Sequence, residues 1–553
     1  AASRLAGRAP AERRSREATN PLAPKNLQNS CWWDILNLAR TFFEGKSDRL
    51  HFAPAERSGV AEFPPHPPSA APSLRENPRK NFPAESKNKF MTTALDFWIV
   101  GIFFFITFVI GIWERKKLTI EDYWVNSRRT NKFVLVATTL STFIGAGAIL
   151  GNAGVAFSGA GLATFVIAGS YFLYFLIFAK FFAPKIKDFG DANKAYTLPD
   201  FFEARYSNKV RLAGAITNLV SWSLYLALQM LAIGVFVGAL TGFDPTLATV
   251  IGGMIVILYT AVGGLRADIR TDVFQFIIMI FLLVVFLPIV IMKGGGFGAI
   301  ATLPQSFLIG TDFAPLYVMI LAFFFLGAGA LTSADMWQRA YAADTTKNVR
   351  WAMKISSVLV LLFLTMATLF GIFGKILLPD GHSNFVVAEL ITTLLPTGLV
   401  GIVLAGFFAA IMSSADTVLL ITSMTVVHDI YHKTFRKELP PEKVLQMSRW
   451  VTLILGVIGL TVALVVFNIV HLSIEAVSFY VALLPAIVFG FYWKKATSTA
   501  ALWSIILGFL TIVIFLFIDP VQAFIPGLIV SFITFFVVNF FALRKLTTVT
   551  QSL

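Results

Sequence analysis

Long apolar segments alternate with short polar connections from residue 95 almost to the end of the chain. About 20 consecutive apolar residues are enough to cross a bilayer as an α-helix. Segments of this kind occupy residues 95–113, 133–157, 162–184, 212–240, 246–262, 273–292, 315–332, 352–374, 396–428, 450–470, 472–492, 497–517 and 522–542. The pattern predicts an all-α integral membrane protein with about thirteen transmembrane helices within a domain spanning 94–543.

Basic residues are concentrated in alternate connections between these segments. The basic connections lie at 115–132, 185–209, 266–270, 339–350, 433–443 and 494–495, and a further basic pair occurs at 544–545. The other connections contain little beyond Lys293 and Lys375. Because cytoplasmic loops are enriched in Lys and Arg, we expect the first helix to start outside the cell (inner) membrane. The tail 544–553 is then cytoplasmic.

Composition agrees with a membrane protein. Hydrophobic residues make up 56% of the chain and charged residues 14%, against roughly 25% charged in soluble domains. Membrane-flanking loops account for the net charge of +14 better than nucleic-acid binding does, so no nucleic-acid partner is expected. The single Cys31 precedes the first segment, and no metal-binding, phosphate-binding or nucleophile motif is present. An enzyme is therefore not expected.

Residues 1–90 differ from the rest of the chain. They are rich in Pro and Arg and lack helical periodicity beyond a short patch, which predicts a disordered basic extension. One interpretation is that this stretch is upstream sequence carried into the reading frame, with synthesis beginning at Met91. The alternative is a genuine basic tail of the native protein.

The ninth segment, 396–428, carries polar side chains at its centre. Ser413, Ser414 and Thr417 stand at i, i+1 and i+4 with Asp416 at i+3, so their oxygens share one half of a helix. A carboxylate at membrane depth costs roughly 2.5–3.5 kcal/mol, so Asp416 is expected to face a protein-lined cavity and to mark an ion or proton path. Oxygen ligands suit a hard cation. The alternative is that the serines only allow close packing of helices.

Glycines interrupt the second and the seventh segments. They cluster at 145–154 in the second and at 327–329 in the seventh, and these segments are five apart in the order of spans. Glycine-broken helices at equivalent places in two halves are typical of inverted-repeat transporters, whose unwound backbone exposes carbonyls to substrate and ion. Close helix packing by small residues is again the alternative.

Short motifs along the chain resemble those of the sodium/solute symporter family, which includes sodium-coupled proline, sialic acid, pantothenate, glucose and choline transporters. The motifs are Glu-Asp-Tyr at 121–123, Tyr-Thr-Leu-Pro-Asp-Phe-Phe-Glu-Ala-Arg-Tyr at 196–206, Tyr-Thr-Ala-Val-Gly-Gly-Leu at 259–265, Thr-Asp at 271–272, Ser-Ala-Asp-Met-Trp-Gln-Arg at 333–339, Ala-Ala-Ile-Met-Ser-Ser-Ala-Asp at 409–416 and Asp-Ile-Tyr at 429–431. The resemblance covers almost all of 94–543. It implies one leading helix, a five-plus-five inverted-repeat core with discontinuous helices, and two trailing helices.

The resemblance also implies a sodium site between the broken second helix and the ninth helix. Its oxygens fall on Ser141, Ile144, Ala410, Ser413 and Ser414. Uncharged oxygen ligands would bind sodium yet let it leave.

Some members of the family hold a second sodium ion. The matching positions here are Asp272, Ser413, Asp416 and Thr417, which form a candidate second cation or proton site. For Asp272 the alternative is a capping role at the start of a helix beginning at Val273.

Substrate is expected between the helix breaks. The candidate lining residues are Phe143, Gly147, Leu326, Ala328 and Ala330, with Tyr225 and Gln229 reaching in from the fourth segment. Phe143 and Gly147 stand where proline carriers of the family have an acid and a tryptophan, which argues against proline. Without Arg, Lys or an aromatic cage among these positions, we expect a small, polar, zwitterionic or monoanionic organic solute.

These features together predict a secondary active transporter that imports a small organic solute coupled to sodium by alternating access. Sodium is the expected coupling ion, the lipid bilayer the expected surrounding, and a monomer the expected state. The rival hypothesis is a solute-sensing or channel-like membrane module on the same scaffold, without net coupled transport.

Overall fold

A computed structural model describes residues 93–113, 119–241, 244–435, 440–466 and 468–551. The predictions for residues 1–90 lie outside these described residues. Within them the chain is almost entirely helical, and no strand is present beyond an isolated bridge between Thr130 and Ala343. The all-α prediction is confirmed.

The first half of the described chain contains fourteen α-helices. They are α1 Ala94–Trp113, α2 Ile120–Val125, α3 Lys132–Phe143, α4 Asn152–Val155, α5 Phe165–Ile177, α6 Ala183–Asn193, α7 Leu198–Arg205, α8 Asn208–Thr241, α9 Pro245–Phe281, α10 Leu287–Lys293, α11 Gln305–Ile309, α12 Leu316–Phe325, α13 Gly329–Thr332 and α14 Ala334–Ala342.

The second half adds nine more α-helices. They are α15 Thr346–Leu377, α16 Val386–Leu394, α17 Leu399–Met424, α18 Lys433–Phe435, α19 Pro441–Val466, α20 Ile469–Ser478, α21 Leu484–Tyr492, α22 Ser498–Ile518 and α23 Phe524–Gln551.

Many of these helices are apolar and long enough to cross a membrane. The described residues contain nine such spans, or ten if the bent pair Leu316–Thr332 and Ala334–Ala342 forms one. Shorter apolar helices lie at Ala94–Ile110, Lys132–Phe143 and Pro245–Leu258. The chain is therefore a multi-pass membrane protein, while the count of thirteen spans stays a prediction.

Helix α17 lies at the centre of the bundle. All of its side chains from Val403 to Met424 are buried, and the helix packs on α1, α3, α8, α9 and α19. The polar residues at its middle are therefore enclosed by protein rather than by lipid, as the prediction for Asp416 requires.

The polar stretch between two predicted segments, 246–262 and 273–292, does not form a loop. Helix α9 runs through it without interruption. The interpretation of Asp272 as a helix cap is therefore wrong, because Asp272 lies well inside α9. Asp268 and Asp272 are both buried within this stretch.

The two glycine-containing segments are both broken, at places set by local backbone conformation. Helix α3 ends at Phe143, and Ile144 leaves the helical region with φ −85° and ψ 59°. In the second case, a 3₁₀ turn follows α12, and the chain bends by 48° at Ser333 between α13 and α14. The second break thus lies just beyond the predicted glycines.

The bend at Ser333 is braced by a side chain. Ser333 has an extended backbone (φ −71°, ψ 121°), which interrupts the helical hydrogen bonds at this point. The indole N–H of Trp337 donates to the carbonyl of Leu331, 2.8 Å away on the other side of the bend. A side chain therefore satisfies a carbonyl that the broken helix leaves without its usual partner.

Candidate functional site

The hydroxyls at the centre of α17 contact the broken end of α3. Ser413 Oγ donates to the carbonyl of Ser141 at 2.6 Å, and Ser414 Oγ donates to the carbonyl of Thr142 at 2.7 Å. Both hydroxyls also lie 3.1 Å from the carbonyl of Ala410. Carbonyl and hydroxyl oxygens from two helices therefore converge at the helix break, and all of them are uncharged.

The close approach of the two helices depends on a glycine. A Cβ atom at Gly145 would lie 2.2 Å from Ser414 Oγ and 2.8 Å from the amide nitrogen of Gln229. Gln229 also accepts a hydrogen bond from the backbone N–H of Ala146 at 3.0 Å. Gln229 of α8 therefore binds the unwound backbone directly.

The structure brings together most of the oxygens predicted for sodium. Hydrogen bonds connect Ser141, Ala410, Ser413 and Ser414. The fifth residue, Ile144, lies at the break itself, next to Gly145 and its contact with Ser414. The donor set, five oxygens without formal charge, fits a sodium ion.

A buried arginine lies beside this cluster. Nη2 of Arg339, on α14, is 3.2 Å from Asp268 and 3.4 Å from Asp272. The same nitrogen lies within 3.2 Å of three threonine hydroxyls, those of Thr138, Thr142 and Thr417. One terminal nitrogen carries only two hydrogens, so charge attraction rather than saturated hydrogen bonding holds this group together.

The four residues of the predicted second cation site have different hydrogen-bond partners. Asp272 and Thr417 both lie within hydrogen-bond distance of Arg339 Nη2, whereas Ser413 binds the Ser141 carbonyl. Asp416 accepts a hydrogen bond from Thr260 at 2.8 Å. The Asp272 part of the predicted site therefore already contains a cation of the protein, the guanidinium of Arg339.

Sequence reasoning missed Arg339 and Asp268. Arg339 was counted among the basic residues of a loop, but it is 1% exposed. The available signal was weak: Asp268 and Asp272 stand at i and i+4, on one face of a helix.

A cavity of about 120 Å³ lies between the two helix breaks. Five of the seven predicted lining residues border it: Phe143, Gly147, Tyr225, Leu326 and Ala330. Gln229 and Ala328 are buried nearby but do not line it.

The cavity wall contains residues that the sequence did not indicate. Asp335, at the start of α14, is buried in the wall and accepts a short hydrogen bond from the Ser333 hydroxyl. Tyr171, Trp222 and Tyr480 add three aromatic rings. The expectation of a lining without an aromatic cluster is therefore wrong, because these rings come from helices far apart in the chain.

A second charged cluster lies at the start of α7. Thr197 caps α7 reciprocally with Asp200, and Asp200 also lies 2.7 Å from Lys433 and 3.2 Å from His428. Burial raises the pKa of a carboxyl, but the charges of His428 and Lys433 act in the opposite direction and hold the pKa of Asp200 below its ordinary value. Asp200, His428 and Asp429 are close enough to share a metal ion, but Lys433 already supplies a cation there.

Known proteins match the chain over most of its length. The profile of the Sodium:solute symporter family matches residues 123–508. The osmoregulated proline transporter of Bacillus subtilis (strain 168) is 26% identical over 476 residues, which cover 80% of this chain and 94% of that protein. The sodium/proline symporter of Escherichia coli (strain K12) is 27% identical over 441 residues, covering 76% and 88%.

A solved structure shares the fold. The substrate-bound outward-open state of a Na⁺-coupled sialic acid symporter aligns with a TM-score of 0.69 and 18% identity, over 81% of this chain and 98% of that one. The family profile matches well over half of the chain. The chain therefore belongs to the sodium:solute symporter family.

Proposed function

We propose that this protein imports a small organic solute across the cell membrane, driven by an inward sodium gradient through alternating access. The observation that carries the proposal is the convergence of the Ser413 and Ser414 hydroxyls on the α3 carbonyls at the helix break. The family match and the names of the relatives, sodium/proline symporters among them, support the same function.

The sodium ion would be held by Ser141, Ile144, Ala410, Ser413 and Ser414. An ion there would tie the end of α3 to α17. A solute in the adjacent cavity would contact the same broken segment, since Phe143 and Gly147 line that cavity. Because both ligands favour one arrangement of α3 and α17, each raises the affinity for the other.

The charge distribution in the loops supports an orientation with the start of α1 outside and the C-terminus in the cytoplasm. Each protomer contains both helix breaks and the whole cavity, so a monomer is sufficient for the proposed cycle.

The second candidate cation or proton site rests on the carboxylates near Arg339. Asp268 and Asp272 place two carboxylates against the single guanidinium of Arg339. Oδ1 of Asp272 has no hydrogen-bond partner within the described residues. We propose that Asp272, with Thr417 beside it, and separately Asp416 respond to a second cation or a proton during transport.

Uptake into proteoliposomes tests the coupling. A mixture of radiolabelled amino acids, amines and organic acids is offered with an inward sodium gradient, with an equal potassium gradient, and with sodium equal on both sides. Accumulation above equilibrium only with the sodium gradient is expected. Tight binding without accumulation would instead indicate a sensor, and equal uptake in all three conditions would contradict coupling.

A further inference from the structure

The cavity between the helix breaks has a carboxyl group in its wall. Among the described residues that line it, Asp335 is the one acidic residue, and none is Lys, Arg or His. Its side chain is 3% exposed and has no lysine, arginine or histidine within 4 Å in the described part of the chain. Arg339 follows one turn later on α14, but its terminal nitrogen is directed to Asp268 and Asp272.

Aromatic rings surround the same space. The rings of Phe143 and Tyr171 are 5.0 Å apart, edge to face. Trp222 contacts Tyr225 at 5.6 Å and Tyr480 at 5.7 Å, again edge to face. All five rings line the cavity.

The carboxylate and the rings act on the same region. Asp335 and the hydroxyl-bearing rings of Tyr171, Tyr225 and Tyr480 border the same cavity. Aromatic faces carry negative potential and attract cations, most strongly where water is excluded. The buried carboxyl of Asp335, when ionised, adds an attraction of the same sign.

We propose that the transported solute carries a positively charged nitrogen, an amine or a quaternary ammonium group, which binds between Asp335 and the aromatic wall formed by Phe143, Tyr171, Trp222, Tyr225 and Tyr480. This inference rests on the proposed function, because it treats the cavity as the solute site. It excludes simple monoanions, which the carboxylate repels, and it retains zwitterions whose amino end lies at Asp335.

Matched pairs of probes test the charge without any change to the protein. Choline is compared with dimethylbutanol, in which a carbon replaces the charged nitrogen, and L-proline is compared with cyclopentanecarboxylate. Binding to the purified full-length protein is measured by tryptophan fluorescence and by thermal shift, with and without sodium. At least one nitrogen-containing probe is expected to bind about tenfold or more tightly than its partner.

Asp335→Asn tests the residue. The substitution should reduce the preference for choline over dimethylbutanol about tenfold while leaving binding of the uncharged alcohol within twofold. Asp380→Asn is the control, since Asp380 is exposed in the connection after α15 and lies outside this cavity. It should leave the preference unchanged.

The outcomes separate this inference from the proposed function. Amine selectivity that depends on Asp335 but not on sodium supports the inference and contradicts sodium coupling. Sodium-driven uptake of an anion or a neutral solute overturns the inference and leaves the coupling intact. Should neither nitrogen-containing probe bind more tightly than its partner, the inference is also wrong, whether or not the Asp335→Asn protein folds.

Discussion

Two buried polar clusters lie side by side between α3 and α17, and they differ in charge. The neutral cluster consists of oxygens from Ser141, Thr142, Ala410, Ser413 and Ser414. The charged cluster consists of Asp268, Asp272, Arg339 and Thr417. The neutral cluster suits a cation that enters and leaves, whereas the charged cluster holds a cation that is covalently part of the chain.

A single threonine joins the two clusters. The Thr142 carbonyl accepts from Ser414, while its hydroxyl lies 2.7 Å from Arg339 and 3.1 Å from the Thr417 hydroxyl. Movement of the end of α3 would therefore alter both clusters together. From this comparison we expect the neutral cluster to govern ion dependence and the charged cluster to govern whether the helices stay assembled.

Arg339→Gln should have the largest effect, on stability. It leaves two buried carboxylates without their counter-ion, which costs about 3–5 kcal/mol. Equilibrium unfolding in detergent, with and without sodium, measures this loss. Arg205→Gln is the control and should cost far less, because within the described residues Arg205 donates to backbone carbonyls such as those of Gly490 and Trp493. Adding Asp272→Asn to Arg339→Gln should restore part of the stability, and a strictly additive loss would contradict the assignment.

The double variant Ser413→Ala with Ser414→Ala should lose sodium stimulation while keeping its fold. Water cannot easily replace the lost hydroxyl ligands, and a coupling of about 1–3 kcal/mol corresponds to a roughly 5- to 150-fold weaker solute affinity. The ratio of the solute dissociation constants in choline-free potassium buffer and in sodium buffer measures this coupling. Ser423→Ala is the control, since Ser423 on the same helix bonds only the Leu420 carbonyl of its own helix in the described structure. Full sodium stimulation in the double variant would show that the ion site lies elsewhere.

Gly145→Ala tests the neutral cluster by crowding it. The new methyl group must displace Ser414 Oγ or Gln229, and overpacking of this kind costs about 1–3 kcal/mol. We expect a raised sodium concentration for half-maximal uptake, with less change in the thermal stability measured without sodium. Gly101→Ala on α1 is the control, because its Cβ would meet nothing within 4 Å. Unchanged sodium dependence would show that the close approach is not needed for ion binding.

Asp416→Asn should have the smallest effect of the four substitutions. It tests whether Asp416 contributes to ion dependence, like the neutral cluster, or to stability, like the charged cluster. The amide keeps the hydrogen bond from Thr260 available but removes the charge. A roughly two- to tenfold change in the sodium or pH dependence of uptake, at most about 1.4 kcal/mol, is expected with little loss of protein in the membrane. Thr260→Val, which removes only the hydrogen bond, provides the comparison. A fall in yield alone, with unchanged ion dependence, would make Asp416 structural.

The sequence predicted the neutral cluster far better than the charged one, for a physical reason. Apolar length and glycines are local properties, so the spans and the broken segments could be predicted from short windows. The serines of α17 were visible because polar residues stand out in an apolar helix. Arg339 and Asp268 did not stand out, since charged residues near the end of a span are ordinary in loops and only tertiary packing reveals their burial.

The aromatic cavity wall was unpredictable for a related reason. Tyr171, Trp222 and Tyr480 come from three separate parts of the chain, and aromatic residues are frequent throughout it. Phe143, Gly147 and Tyr225 could be predicted because they lie close to a recognisable break or motif. Sequence alone therefore indicated where the cavity lies but not its electrostatic character.

The brace between Trp337 and Leu331 has a mechanical consequence. A helix interrupted at an extended residue would ordinarily flex there, but a buried indole hydrogen-bonded across the interruption fixes the angle between its two arms. The 48° bend is therefore a stiff elbow, and the arms on either side of it should rotate together as one lever. The flexibility needed to open the cavity to one side and then the other must come from other joints, such as the turn at Ile144 and Gly145, which hydrogen bonds of Ser413, Ser414 and Gln229 hold in this structure.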